Sequence, residues 1–135
     1  MSYDLMVFDP EVAPQDRDSF MEWYEDVAQW DEPRDYDVSD GMTGNLKSFF
    51  DLIRQVFPPL NGPHAAPIEN VDDPEVTEYV LAGSAIYMAF AWSISKTARA
   101  TVIHAAIETS VGFFDVSSEE GVIARDQADL LALKE

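Results

Sequence analysis

The sequence predicts an α+β fold in which helices pack on one face of a small, mainly antiparallel sheet. Short runs of β-branched and aromatic residues alternate with longer segments whose apolar residues recur every three or four positions. Turn-forming residues separate the strand-like runs in the second half of the chain, which is typical of antiparallel hairpins. The expected order is β-α-α-β-β-α-β-β, followed by a last helix.

The chain is predicted to begin with a strand and an amphipathic helix. The apolar run within Tyr3–Phe8 indicates the strand, which ends at Asp9-Pro10 because proline cannot continue a hydrogen-bonded ladder. Aromatic and apolar side chains at helical spacing predict the helix over residues 15–30. Pro14 suits its first turn, where a missing N–H costs nothing.

A loop and a second helix are predicted next. The segment Asp31–Gly41 lacks apolar periodicity and is rich in acids, so we expect a surface loop. Thr43 is a candidate cap for a helix whose apolar stripe runs to Phe57, where two prolines stop it. The segment Asn61–Pro74 is rich in turn-forming residues and predicts a long irregular connection.

Two strands and a third helix are predicted in the second half of the chain. Thr77–Ala82 and Ser84–Ala91 are rich in β-branched and aromatic residues, and a hairpin is expected to join them. Ser93 or Ser95 is expected to cap a helix that extends to about Thr109. The small alanines of this helix indicate close packing against the sheet.

The C-terminal part is predicted to form a second hairpin and a short helix. Strands are expected at Val111–Val116 and Val122–Ala124, with a turn at Ser117–Gly121 between them. Asp126–Leu133 is compatible with a terminal helix. With 135 residues the chain has the common length of one domain, and no internal boundary is visible, so we predict a single domain over residues 1–135.

Composition narrows the functional classes. The chain has 26 acidic and 8 basic residues and a formal net charge of −18, so direct binding to nucleic acid or anionic lipid is not expected. Cysteine is absent, which excludes disulfides and thiolate chemistry and favours the cytoplasm. No secretory leader is recognisable, and the longest apolar run, Ala85–Trp92, is far shorter than the roughly 20 residues of a membrane span.

Motifs for catalysis or metal binding are weak. His64 and His104 have no second ligand at the spacing that zinc sites use. Asp35, Asp37 and Ser39 are spaced like the start of a calcium loop, but the glycine and glutamate that such a loop needs further on are missing. We therefore predict no catalytic residue, no metal site, no cofactor and no enzymatic activity, with a small enzyme kept as the third alternative.

The acidic residues form two clusters on or beside predicted loops, where recognition residues concentrate. The second cluster consists of Glu69, Asp72, Asp73, Glu75 and Glu78. Aromatic residues lie among them and supply the anchors that protein interfaces favour. The alternative interpretation is a solubilising surface over ordinary core aromatics. The candidate partner-binding residues are Trp30, Asp31, Glu32, Asp35, Tyr36, Asp37 and Asp40 in the first cluster, and Asp72, Asp73 and Glu75 in the second.

Several segments together resemble a family of small bacterial proteins associated with the immunity proteins of contact-dependent or secreted antibacterial toxins. The resemblance covers most of the chain and carries no catalytic signature. The segments that carry it are SYDLMVF, FMEWY, FPPLNGP, IYMAFAWS and VGFFDVS. It implies a protein that binds and neutralises a cognate toxin.

The charge and the resemblance lead to one hypothesis. An acidic domain is expected to occlude a basic protein toxin, plausibly a nuclease, where the toxin would bind phosphates. The alternative is a general acidic interaction module or nucleic-acid mimic with a housekeeping partner. The sequence leaves open whether the protein is a monomer or a dimer.

Overall fold

The computed structural model describes residues 2–70 and 72–133. It confirms the α+β class, the mainly antiparallel sheet and the predicted order of elements. The strands are β1 (Tyr3–Phe8), β2 (Glu78–Leu81), β3 (Ala85–Phe90), β4 (Gly112–Phe114) and β5 (Ile123–Ala124). The helices are α1 (Arg17–Val27), α2 (Gly44–Val56), α3 (Ser95–Thr109) and α4 (Gln127–Leu133), with short 3₁₀ turns at Ile68–Asn70 and Trp92–Ile94.

The five strands lie in the order β2-β3-β1-β4-β5, and all neighbours are antiparallel. Strand β1 is central because it pairs with β3 on one side and with β4 on the other. Its residues 5–8 are fully buried, which suits a strand covered on both faces. The two sheet edges are β2 and β5.

Helices cover both faces of the sheet, which corrects the expectation that they pack on one face. Leu5 and Val7 share a core with the buried side chains of α2 and α3. Met6 and Phe8 point the opposite way, since side chains alternate along a strand, and they pack with Phe20 of α1. The continuous apolar run of β1 therefore requires helices on both sides of the sheet. We call the two sides the α2/α3 face and the α1 face.

Helix α1 is shorter than the predicted segment 15–30. The Asp16 carboxylate accepts a hydrogen bond from the Ser19 N–H at 2.9 Å, which sets the start of the helix at Arg17. This N–H also lowers the pKa of Asp16 from its ordinary value. Trp30 has a left-handed backbone with φ of 53° and lies outside the helix, which ends at Val27.

Most of the apolar stripe predicted for α2 is confirmed, because Leu46, Phe49, Phe50, Ile53 and Phe57 are buried. Val56, which was predicted to belong to the stripe, is 43% exposed. Thr43 occupies the N-cap position, but its side chain makes no capping hydrogen bond.

The capping prediction for α3 is wrong. The N-cap position is Ile94, and a 3₁₀ turn precedes the helix in place of a serine cap. Ala98 and Ala106 are fully buried against the rest of the core, as their small size predicted.

Both predicted hairpins are present with slightly shorter strands. The Ala82 N–H donates to the Ala85 C=O at 2.9 Å, which closes the β2–β3 turn at Gly83 and Ser84. Within its described residues, the predicted irregular connection between α2 and β2 holds one 3₁₀ turn and one isolated bridge, in which Pro59 pairs with Thr77. None of the helices among the described residues has the length and apolar content needed to cross a bilayer.

Candidate partner-binding site

The segment between α1 and α2, residues 28–43, carries most of the predicted binding residues, and we call it the acidic loop. Its exposure alternates along the chain. Asp31, Asp35 and Asp37 are exposed, whereas Glu32 and Tyr36 are half-buried. One side of the loop therefore anchors it to the protein, and the other presents carboxylates to solvent.

Hydrogen bonds anchor the acidic loop to the β2–β3 hairpin. The Leu81 N–H of β2 donates to the Tyr36 C=O at 2.7 Å. The Gly83 N–H donates to the Glu32 carboxylate at 3.1 Å, and the Glu32 N–H donates to the Tyr36 hydroxyl at 2.6 Å. Glu32 and Tyr36, predicted as contact residues, thus hold the loop in place.

Trp30 supports the loop from the side of α1. Its ring lies against the rings of Tyr36 and Tyr87, with centroids 5.8 and 5.7 Å apart and T-shaped geometry. A left-handed backbone is unfavourable for a bulky residue and persists only where its surroundings determine it. These aromatic contacts supply that support, so the half-buried Trp30 fixes the direction in which the chain leaves α1.

An open groove of about 580 Å³ lies between the acidic loop and β2. It brings together carboxylates from both predicted clusters, since Glu78 of β2 lies with Asp35 and Asp37. The residues that line it are Trp30, Arg34, Asp35, Tyr36, Asp37, Asn61, Glu78, Tyr79 and Val80.

Gly62 permits the close approach of the two loops that border the groove. Its φ is +91°, and a Cβ built on it would lie 2.4 Å from the Asp37 carbonyl oxygen. No other residue type fits this position without moving the main chain. The acidic loop and the connection before β2 are therefore packed backbone to backbone.

The remaining predicted residues lie outside the groove. Asp31 and Asp40 are exposed on the acidic loop but do not line the groove. Asp72, Asp73 and Glu75 are exposed in the turn before β2, where the Asp73 carboxylate accepts from the Glu75 N–H at 2.9 Å. The second cluster therefore reaches the groove through Glu78, which was assigned to that cluster but was not among the candidate partner-binding residues.

The alternation of side chains along β2 could have identified Glu78 and Val80 as residues of the groove from the sequence alone. Tyr79 and Leu81 belong to the core on the α2/α3 face, so their neighbours point to the other side. No pattern in the sequence indicated that Arg34 would line the groove. Its guanidinium donates to the Val38 C=O at 2.9 Å, while its Nε is buried with no acceptor among the described residues.

Each of the five arginines makes a hydrogen bond or an ion pair within the protein. Three arginines donate to main-chain carbonyls: Arg17 to Gly121 and Glu120, Arg34 to Val38, and Arg125 to Pro14. The other two pair with carboxylates, Arg54 with Asp51 and Arg99 with Asp115. The arginines keep their charge in these contacts, so long-range attraction to a cation depends on the formal net charge of −18.

A buried polar cluster at the far end of the α2/α3 face was not predicted. Arg99 donates to the Asp115 carboxylate at 3.2 Å, and the other oxygen of Asp115 is buried with no partner among the described residues. The Tyr3 ring lies beside this pair. Burial, with the Asp115 charge, raises the pKa of Tyr3 to about 12, although Arg99 opposes the change.

This raised pKa predicts a loss of stability at alkaline pH. The folded protein favours the neutral phenol, so the contribution of Tyr3 is complete below its ordinary pKa of about 10 and falls as the pH rises from about 10 to 12. At pH 11 the loss is on the order of 1 kcal/mol. Urea unfolding at several pH values should show a smaller alkaline loss for Tyr3→Phe than for the wild type. Parallel curves for the two proteins would contradict this role.

No group of three or more acidic or histidine side chains in residues 2–70 and 72–133 is arranged to hold a metal ion. Comparisons with family models, with curated proteins and with solved structures found no significant match to this chain.

Proposed function

We propose that this protein binds and neutralises a basic protein toxin by occluding the toxin's cationic surface with the acidic loop and the groove beside it. The observation that carries the proposal is the arrangement of the loop: exposed Asp31, Asp35 and Asp37 alternate with residues that are bonded to the sheet edge. The sequence segments that resemble immunity proteins of bacterial toxin systems favour the same role.

The physical advantage of this arrangement is preorganisation. A loop that is already hydrogen-bonded to β2 and to the β2–β3 turn loses little conformational freedom when it binds, so less of the interaction energy is spent on ordering it. Exposed carboxylates attract a cationic partner over about one Debye length, which raises the association rate at low salt. Both properties suit an inhibitor that must capture its target before the target acts.

Charge reversal tests the surface directly. We expect Asp31→Lys, Asp35→Lys and Asp37→Lys, made together, to slow association with the basic partner by about tenfold or more at low salt. The stability should change little, because these side chains are exposed. The partner is first co-purified from the host and identified by mass spectrometry, and association is then measured by surface plasmon resonance at about 50 and 200 mM salt.

The matched control reverses three exposed carboxylates at the opposite edge of the sheet, near the β4–β5 turn. It carries Asp18→Lys, Glu119→Lys and Glu120→Lys, and it changes the formal net charge from −18 to −12, as the first variant does. If both variants slow association equally, net charge acts and the acidic loop is not the interface. A partner that is not basic, or binding that salt does not affect, would also contradict the proposal.

Growth rescue separates toxin neutralisation from the alternative of a general acidic interaction module. Expression of this protein should restore growth to cells that produce the co-purified partner, and the acidic-loop variant should fail to do so. A partner that is harmless when produced alone would favour the housekeeping alternative.

A further inference from the structure

Helices α2 and α3 differ in charge from the rest of the protein. They hold four of the eight basic residues of the chain but only two of its 26 acidic residues, so together they carry a formal charge of +2, and the other residues carry −20. The charged residues of the two helices are Lys47, Asp51 and Arg54 in α2, and Lys96, Arg99 and Glu108 in α3. A negatively charged protein therefore meets less repulsion at these helices than it meets on average over the rest of the molecule.

Helix α3 presents an exposed ridge on the outer side of this pair. Lys96, Ala100, His104 and Glu108 are spaced four residues apart and are all exposed, and we call them the α3 ridge. Residues at this spacing form one of the ridges through which helices pack against each other. The ridge begins with a base and ends with an acid, and the His104 ring holds the Glu108 carboxylate at 3.0 Å. Ala100 lies between these ends and has a side chain small enough for a second helix to come close.

An apolar crevice of about 170 Å³ lies beside the α3 ridge, between α2 and α3. On the α2 side it is lined by Leu52 and Val56, which are 38% and 43% exposed, and on the α3 side by Thr101 and Ala105. Removing such exposed apolar surface from water favours association. The outer side of α2 and α3 therefore combines the weakest acidity of the chain with exposed apolar side chains.

The charges at the two ends of the α3 ridge make it complementary to a second copy of itself. A two-fold axis midway between Ala100 and His104 sets the two helices antiparallel and places Lys96 of each copy opposite Glu108 of the other. The same operation places the small Ala100 against the His104 ring. A uniformly acidic or basic partner would match only one end of the ridge, whereas a second copy matches both ends.

We propose that two copies of this protein associate as a two-fold symmetric dimer through the α3 ridge and the crevice beside it. The inference goes beyond the proposed function and does not depend on it. Glu78 and Val80 of the groove point to the α1 face of the sheet, because Tyr79 and Leu81 belong to the core on the α2/α3 face. The dimer therefore leaves both grooves open, and it presents two acidic loops.

Sedimentation equilibrium of the full chain tests the dimer directly. At about 100 μM protein and about 150 mM salt, we expect a mass approaching twice the 15.1 kDa of one chain. Leu52→Asp should weaken dimerisation about tenfold or more, because it places a charge in the apolar crevice. Ile68→Asp is the matched control: Ile68 is 84% exposed outside the crevice, and its replacement changes the net charge equally, so dimerisation should be unaltered.

Exchange of the end charges gives a second test that does not involve the crevice. Lys96→Glu and Glu108→Lys, each made alone, should weaken dimerisation about fivefold or more, because both symmetry-related pairs become like-charged. The two changes together should restore dimerisation. Both changes also suit the dipole of α3, so the helix should stay folded.

Recovery in the double variant can come only from contact between copies. Lys96 and Glu108 are about 18 Å apart along one helix, which exceeds the screening length of about 8 Å at this salt concentration. Net charge does not explain the expected pattern either, because the single changes shift it in opposite directions and the double variant keeps −18.

The dimer is overturned if the chain stays monomeric at about 100 μM, if Leu52→Asp and Ile68→Asp have equal effects, or if the double charge variant associates no better than either single variant. None of these outcomes contradicts the proposed function, since the acidic loop takes no part in the contact between copies.

Discussion

Replacing Phe20 with alanine is expected to lower the free energy of unfolding by about 3–5 kcal/mol, the range measured for large aromatic truncations in cores. Phe20 is the only fully buried residue of α1. Its ring contacts Phe8 at 5.0 Å and Phe114 at 5.3 Å between centroids, and the Arg125 guanidinium lies 5.2 Å from its centre. Its removal leaves a cavity between α1 and the sheet.

The loss should be measured by urea unfolding followed by circular dichroism. Val12→Ala is the control, because Val12 is 51% exposed and should change stability by about 0.5 kcal/mol or less. Because α1 has no second fully buried residue, Phe20→Ala should also increase amide exchange throughout α1. A loss below about 1 kcal/mol would show that α1 does not depend on this contact.

Arg99→Met is expected to lower the free energy of unfolding by about 2–3 kcal/mol. Removing one partner of a fully buried ion pair costs about 3–5 kcal/mol, because it leaves the other charge without compensation. Here the side chain of Asp115 is 7% exposed, but that of Arg99 is 34% exposed, so water reduces the effect. The buried Asp115 oxygen without a partner increases the dependence on Arg99.

The control is Arg54→Met, which breaks the exposed pair with Asp51 and should cost at most about 1 kcal/mol. Adding Asp115→Leu to Arg99→Met should recover stability, since no buried charge then remains. Urea midpoints of the four proteins measure this directly. Equal losses for Arg54→Met and Arg99→Met, or a double variant weaker than Arg99→Met alone, would refute the importance of the buried pair.

Elements with strong local signals were predicted well. The bounds of β1 agree with the prediction at both ends, because an apolar run and a proline determine them. The prediction for α1 was too long at both ends. The Asp16 side chain caps the helix, so the helix begins at Arg17. Trp30 leaves the helical path to contact Tyr36 in the acidic loop and Tyr87, which is distant in sequence. Helix ends that depend on distant aromatic contacts are not visible in local periodicity.

The candidate site was predicted in part. Asp35 and Asp37 were selected from charge and lie in the groove, together with Trp30 and Tyr36. Glu32 was selected for the same reason, but its carboxylate accepts the Gly83 N–H. Charge alone does not distinguish an anchoring carboxylate from a presented one, because the difference is whether a main-chain donor from another segment reaches it.

The sequence by itself determined the α+β class, the order of the elements, the buried stripe of α2 and the excess of negative charge, because periodicity and composition are local properties. Only the tertiary structure decided that helices cover both sheet faces and that Glu78 joins Asp35 and Asp37. These features depend on which segments meet in space. Which segments meet is determined by packing and main-chain pairing between residues far apart in the chain, and local sequence patterns contain no information about such pairs.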